Sequence, residues 1–302
     1  MPRNALGHLV PGRVSPMRSV PRHIARPEYV GKSGPQPFEG SDVYDAASVE
    51  LIRESGQIAA RAVEAVGAAI RPGVTTEELD RRCHDYIVDV QKATPANVGY
   101  RGFPKTICIS INDVICHGIP SARVLADGDI VNIDVAVIKD GWYGDTSRMY
   151  LVGQPGPLAR RLVRTAYEAM CAGILEVRPG ATLGDVGHAI ESVAQRDGFS
   201  VVQEYFGHGI GRKYHESPRV LNFGERGEGL VLAPGMVFTV EPMINAGKRH
   251  TRQLADGWTV VTRDRSLSAQ WEHMVAVTET GFEVLTLAPG ETGAKAQIPI
   301  VG

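Results

Sequence analysis

The chain is short of cysteine, of excess charge and of long apolar runs, and each shortage removes a class of protein. Only four cysteines occur in 302 residues (Cys83, Cys108, Cys116 and Cys171), and no two form a C-x-x-C pair. That excludes a disulfide scaffold and fits a reducing compartment. No stretch approaches the roughly 18 uninterrupted apolar residues of a membrane span, which predicts a soluble protein with no membrane partner. The net charge is −2 and the isoelectric point is near 6.5. Phosphate neutralisation needs a basic surface, so specific nucleic-acid binding is not expected. What remains is 43% apolar and 22% charged residues, ample for a sizeable core.

Residues 1–40 differ from the rest. They hold seven of the 19 prolines, and six basic residues against two acids. Proline removes backbone donors and blocks helices, so an extended segment is expected there, with a second domain over 41–302. No apolar h-region marks a secretory signal. An arginine-rich, acid-poor start also fits an organelle transit peptide, although the prolines oppose the helix such peptides form. Between the prolines, Val10, Val14, Met17, Val20, Ile24, Tyr29 and Val30 supply apolar anchors. These predict docking along the main domain, with the arginines left for an anionic partner such as the ribosome.

Beyond Ser41 the pattern becomes regular. Helical spacing runs from Val49 to Ile70 and ends at Arg71-Pro72-Gly73. Thr75-x-x-Glu78 is a capping-box signature for a helix through Ile87. Leu158–Val177 reads as a helix stopped by Arg178-Pro179-Gly180, and Thr182-x-x-Asp185 opens another through Ala194. Arg178 follows Arg71 by 107 residues, and Glu241 follows Asp134 by the same 107. Leu125-Ala-Asp-Gly-Asp-Ile-Val-Asn-Ile-Asp134 and Leu232-Ala-Pro-Gly-Met-Val-Phe-Thr-Val-Glu241 match without gaps. One offset for two separate matches predicts duplicated halves, with Asp134 and Glu241 at corresponding places.

Ile130–Ile138 reads as a strand, Lys139-Asp140-Gly141 as a hairpin turn and Trp142–Val152 as the returning strand. That hairpin sets Asp145 opposite Asp134, to within a residue or two. Two opposed carboxylates on an apolar ribbon repel, which points to a cation between them. Phe206-Gly-His208-Gly-Ile-Gly211 encloses one imidazole in close-approaching backbone. Glu272 is a further carboxylate, entering the apolar run Met274–Val277.

The blocks Ile109-Ser-Ile-Asn-Asp-Val-Ile-Cys-His-Gly-Ile-Pro120, Val131-Asn-Ile-Asp134, Gly144-Asp-Thr146, Phe206-Gly-His-Gly-Ile210, Thr239-Val-Glu-Pro-Met243 and Ser268-Ala-Gln-Trp-Glu-His273 resemble type I methionine aminopeptidases. All six occur in this order, and the resemblance extends from about Asp45 to Thr286. The resemblance implies an α/β (α+β) pita-bread fold: two pseudo-twofold halves, a central antiparallel sheet and helices packed outside. It implies removal of the initiator methionine from nascent polypeptide N-termini when the second residue is small, by an activated water attacking the first peptide bond.

By the same matching, Asp134, Asp145, His208, Glu241 and Glu272 would bind two divalent ions. Oxygen and imidazole donors suit Co, Mn, Fe or Zn. Asp145 and Glu272 would bridge the ions, and Glu241 would also shuttle a proton. His117 would contact the scissile amide nitrogen, and His215 the oxygen of the tetrahedral intermediate. Tyr100, Phe103, Cys108, Tyr214 and Trp258 would line the methionine pocket, where aromatic rings and a thiol suit a thioether. Asn112, Val114 and Ser268 match a monovalent-cation site.

Other readings are a prolidase or aminopeptidase P, which shares the five ligands but carries a larger N-terminal domain, and a non-catalytic peptide-binding protein on the same fold. The blocks around Cys108 and His117, and the intact ligand set, favour the methionine enzymes. No cysteine precedes Cys83, so the zinc-finger region of the eukaryotic cytosolic form is missing. The expectation is a monomer of the bacterial cytoplasm, or of an organelle.

Overall fold

The computed structural model describes residues 13–288 and the strand Ile300–Val301. Helix α1, Ala46–Gly67, starts where the Asp45 carboxylate accepts the Ser48 N–H at 2.8 Å, satisfying a donor the helix cannot pair itself. Helix α2, Thr76–Asp85, is capped by the Thr75 hydroxyl, which accepts from Glu78 N–H at 3.1 Å. Only half of the expected capping box forms there, because the Glu78 carboxylate pairs with Arg81 and Arg82 instead. This helix also ends two residues before Ile87, and the chain widens into a π-turn over Tyr86–Val90. Helix α3, Pro157–Leu175, precedes α4, Leu183–Arg196, whose box is complete between Thr182 and Asp185.

Strands β1 (Ile107–Ile111), β2 (Ile130–Lys139) and β3 (Trp142–Val152) form the body of the first sheet. Its pairing is antiparallel, except that Ile300–Val301 lies parallel to the end of β3. The second sheet comprises β4 (Gly207–Gly209), β5 (Glu216–Val220), β6 (Val237–Val240), β7 (His273–Val277) and β8 (Phe282–Val284), all antiparallel in the order β8-β7-β6-β4-β5. Each sheet buries one face under its own helices. Ile58, Val63, Val66 and Leu79 of α1 and α2 pack on Ile109, Ile133 and Val135. Leu162, Met170, Val186 and Ile190 of α3 and α4 pack on Phe238, Val240 and Val275. This is the pita-bread arrangement, with helices outside and sheets within.

The duplication is visible in the hydrogen bonds. Gly73 N–H donates to Leu125 O at 2.9 Å, and Gly180 N–H to Leu232 O at 3.0 Å. Leu125 N–H returns to Val74 O and Leu232 N–H to Ala181 O, both at 2.8 Å. Every residue of the second set follows its counterpart by 107. The halves meet where Ser147 of β3 bridges Glu272, just before β7.

From residue 13 on, the proline-rich segment lies mainly against the first half, with Glu28 pairing to Lys213 of the second at 3.0 Å. Ile24 and Tyr29 are buried, Val14 and Val30 are half-buried, and Met17 is exposed rather than an anchor. Val10 lies outside the described residues. The Arg18 guanidinium pairs with Asp80 and Glu77 of α2, each at 2.7 Å. Among the described residues no helix is long and apolar enough to cross a membrane.

Candidate metal centre and substrate cleft

The hairpin between β2 and β3 turns on Asp140 and Gly141, both at positive φ (50° and 81°). Such a two-residue turn matches the natural strand twist. Lys139 therefore faces Trp142, Asp134 faces Ser147, and Asp145 faces Ala136. The two aspartates are set on a diagonal, two residues apart in register and within the residue or two expected from the hairpin. Because the displacement is two residues, both side chains stay on one face of the ribbon.

His208 joins them from β4. A Cβ on Gly209 would stand 1.9 Å from Ser217 O, and one on Gly207 2.3 Å from Thr239 O, so only glycine lets the backbone pass on either side of this imidazole. Its Nδ1 lies 3.0 Å from Gly209 O, a carbonyl that can only accept, so Nδ1 carries the proton. The Nε2 lone pair then faces Asp145 Oδ2 at 3.7 Å and Glu241 Oε1 at 3.6 Å. Burial lowers the imidazole pKa to about 4, so the ring is neutral at pH 7. Candidate ligand atoms of Asp145, His208 and Glu272 all lie within 4.8 Å of one another.

Glu241 is oriented by Thr239, whose hydroxyl donates to Oε1 at 2.9 Å, and by Gln270, whose amide donates to Oε2 at 3.2 Å. Glu272 is fixed through its carbonyl, which accepts the Thr146 hydroxyl at 2.7 Å. Burial raises Asp134 to about 7; burial and then the Asp134 charge raise Glu241 to about 8. Asp145 and Glu272 are pushed well above the carboxylate range by burial and by neighbouring carboxylates. Asp134 Oδ1 and Asp145 Oδ1 are buried with no hydrogen-bond partner. Asp145, Glu272 and the unprotonated His208 nitrogen form a compact donor set, with Glu241 beside the imidazole and Asp134 lining the same cleft. The residues fit a divalent metal centre.

A cleft of about 320 Å³ opens over this cluster and contains all five candidate ligands together with His117, His215, Tyr100, Phe103, Cys108, Tyr214 and Trp258. Phe103 and Trp258 meet edge to face at 5.1 Å, and Trp258 also meets the His117 ring at 5.7 Å. His117 sits at φ 56°, a left-handed conformation uncommon outside glycine. Burial lowers its pKa to about 4. The Tyr100 hydroxyl and His215 Nδ1 are 2.8 Å apart, and Tyr214 stacks on the His215 ring at 4.4 Å. His215 is open to the cleft, yet the enclosing walls, then His208, His117 and Arg101, hold its pKa below the usual histidine value.

Tyr205, Phe206 and Met243 also line the cleft and were missed in the sequence. Their signal was adjacency, since they flank His208 and Glu241. Asn112 and Ser268 come together outside the cleft, where Ser268 N–H donates to Asn112 O at 2.8 Å; Val114 opens the short strand Val114–Cys116 beside them.

The profile of metallopeptidase family M24 matches residues 50–279. The methionine aminopeptidase of Escherichia coli (strain K12) is 53% identical over 245 residues, covering 81% of this chain and 93% of that protein. The crystal structure of methionine aminopeptidase from Rickettsia prowazekii superposes with a TM-score of 0.80 at 52% identity, over 81% of this chain and 99% of that one. The corresponding enzyme from Thermotoga maritima gives 0.79 at 36% identity, over 81% and 98%.

Proposed function

The chain belongs to metallopeptidase family M24, and from that premise we infer that its activity is removal of the N-terminal methionine from nascent polypeptides. The relatives at 52–53% identity, matched over 93–99% of their own length, carry this activity in their names, which favours it over the prolidase and non-catalytic readings. The observation that carries the chemistry is the His208 Nε2 lone pair facing two buried carboxylates.

We propose that Asp134, Asp145, His208, Glu241 and Glu272 would hold divalent metal, for which their oxygen and imidazole donors suit Co, Mn, Fe or Zn. When bound, such ions supply Lewis acidity and make a water acidic enough to react near neutral pH. Glu241, held by Thr239 and Gln270, takes the proton of the attacking water on its carboxylate and returns it to the departing amine nitrogen. His117 meets the scissile nitrogen. With the Tyr100 hydroxyl donating to Nδ1, His215 keeps its proton on Nε2 and directs it at the oxygen where negative charge develops. Phe103, Cys108, Tyr100, Tyr214 and Trp258 receive the methionine side chain, with Tyr205, Phe206 and Met243 completing the wall.

We further propose the division into an extended segment, 1–40, and a catalytic domain, 41–302, of type I. A monovalent cation at Asn112, Val114 and Ser268, a monomeric state, a bacterial cytoplasmic setting and ribosome contact through the segment's arginines rest on the resemblance of the motifs. The test is cleavage of Met-Ala-Ser and Ala-Pro peptides by metal-stripped protein refilled with one divalent ion at a time. Release of methionine only with metal is the expected result. Preferential cleavage of the Ala-Pro peptide overturns the reading.

A further inference from the structure

Tyr29 belongs to the proline-rich segment, far in sequence from every residue of the cleft, yet it is buried completely. Its hydroxyl donates to the carbonyl of Ala96, in the turn that runs from the short strand Thr94–Pro95 to Tyr100. Its ring meets that of Tyr100 edge to face, centroids 5.0 Å apart and planes at 81°. Such aromatic pairs favour one relative orientation over others. The next residue, Val30, closes over Gly99, whose added Cβ would stand 3.2 Å from both Val30 methyls. The turn that presents Tyr100 is therefore clamped from outside by two consecutive segment residues.

A second route leads to the same place. Tyr143 packs in the same buried cluster as Tyr29, Tyr100 and Tyr214. The Tyr143 ring stacks on Tyr214 at 5.8 Å, and Tyr214 stacks on His215 at 4.4 Å. By the first route, Tyr100 holds His215 Nδ1 at 2.8 Å. Both lines of contact start at Tyr29 and end on one imidazole, gripping its edge and its face.

We propose that Tyr29 is a positioning residue for the hydrolytic site, setting the orientation of His215 through Tyr100 and through the Tyr143–Tyr214 stack. Tyr29 touches neither substrate nor ligand; its role is to keep the imidazole aimed. A misplacement of about 1 Å in a catalytic group can cost roughly a hundredfold in rate. Shrinking Tyr29 loosens the ring without removing it, so a loss of about tenfold in kcat is the expected scale. This inference rests on the proposed role of His215.

The test uses the full-length, metal-loaded enzyme on Met-Ala-Ser. Tyr29→Ala should lower kcat about tenfold, with KM within about twofold and the bound metal content unchanged. Tyr29→Phe, which keeps the ring edge against Tyr100, should recover most of that loss. In a His215→Ala background, Tyr29→Ala should cost almost nothing further, because its route of action is already gone. If Tyr29→Ala does not fold, Tyr29→Leu takes its place in every comparison. A wild-type kcat for the folded variant overturns the proposal, as does the same full loss with and without His215. Failure of the wild type to cleave Met-Ala-Ser would instead count against the function itself.

Discussion

The amide of Glu272 donates to the carbonyl of Ser147 across 3.2 Å, and this bridge joins the two sheets beside the buried carboxylates. The two halves thus meet where like charges gather. Asp134 and Asp145 come from the first half, while His208, Glu241 and Glu272 come from the second. A cation held between them ties the halves together, and binding to the folded state alone raises stability by mass action. Addition of Mn or Co to metal-stripped protein should therefore raise Tm, and chelator should reverse the rise. A Tm indifferent to both, at millimolar metal, speaks against a centre spanning the halves.

Asp145→Asn keeps the size and one oxygen of the side chain but removes its charge. In the folded protein Asp145 faces His208 and has a buried oxygen without a partner, so its work is electrostatic rather than packing. Turnover of Met-Ala-Ser should fall by orders of magnitude in kcat, with KM little changed. Near-normal kcat for this variant would remove Asp145 from the centre.

Selectivity for a small second residue should follow from the crowding of the cleft. By the proposed roles His117 and His215 flank the scissile bond, and Tyr205 stands 5.6 Å from the His117 ring. A large second side chain must push between these groups and displace the carbonyl from its place. A shift of about 1 Å corresponds to roughly a hundredfold in rate. Met-Leu-Ser should accordingly show kcat/KM about a hundredfold below Met-Ala-Ser, and equal values would contradict the crowded subsite.

How much of this was legible follows from what kind of physics sets each feature. The repeat could be read because helix stops and caps are local chemistry: Arg-Pro-Gly ends a helix and Thr-x-x-acid starts one in both halves. The carboxylates stood out because charge in an apolar strand has few causes. The pairing of Asp134 with Asp145 was legible to within two residues, and the final register depends on which two residues occupy the turn. Tyr205, Phe206 and Met243 reach the cleft only when loops from distant parts of the chain close over it. Met17 shows the same limit, since its apolar character counted as an anchor while the chain turns it outward.

His84 should make the segment's attachment sensitive to acid. Its Nε2 lies 3.1 Å from Ser19 O in the segment and its Nδ1 2.7 Å from the Thr106 hydroxyl. Burial holds its pKa below the usual 6.5, against an opposing pull from Asp80. A folded pKa depressed below the unfolded one gives stability that is complete above about 6.5 and lost as pH falls through the folded value. The Tm advantage of wild type over His84→Gln should therefore shrink between pH 7.5 and pH 5. A constant difference across that range would mean that His84 does not titrate differently on folding.

Arg18 gives the most direct measure of what docking contributes. Its guanidinium is the side-chain partner of Asp80, whose carboxylate is fully buried and also accepts the Thr106 and Ile107 amides at 2.8 and 3.2 Å. Lys105, likewise buried, extends the network by pairing with Glu77 at 2.9 Å and donating to the Ser15 hydroxyl of the segment at 2.6 Å. Arg18→Ala strips a buried charge of its counter-ion, and leaving such a charge uncompensated costs about 3–5 kcal/mol, against well under 1 kcal/mol for a typical exposed pair. In a chain of this size each kcal/mol moves Tm by about 2–4 °C, so a drop near 10 °C is expected. Asp80→Asn in the Arg18→Ala background removes the orphaned charge and should recover part of the drop. Deletion of residues 1–40 leaves the same charge unpaired and also uncovers the sites of Ile24 and Tyr29, so it should cost at least as much. A deletion variant as stable as the full chain would mean that these contacts do not hold in solution.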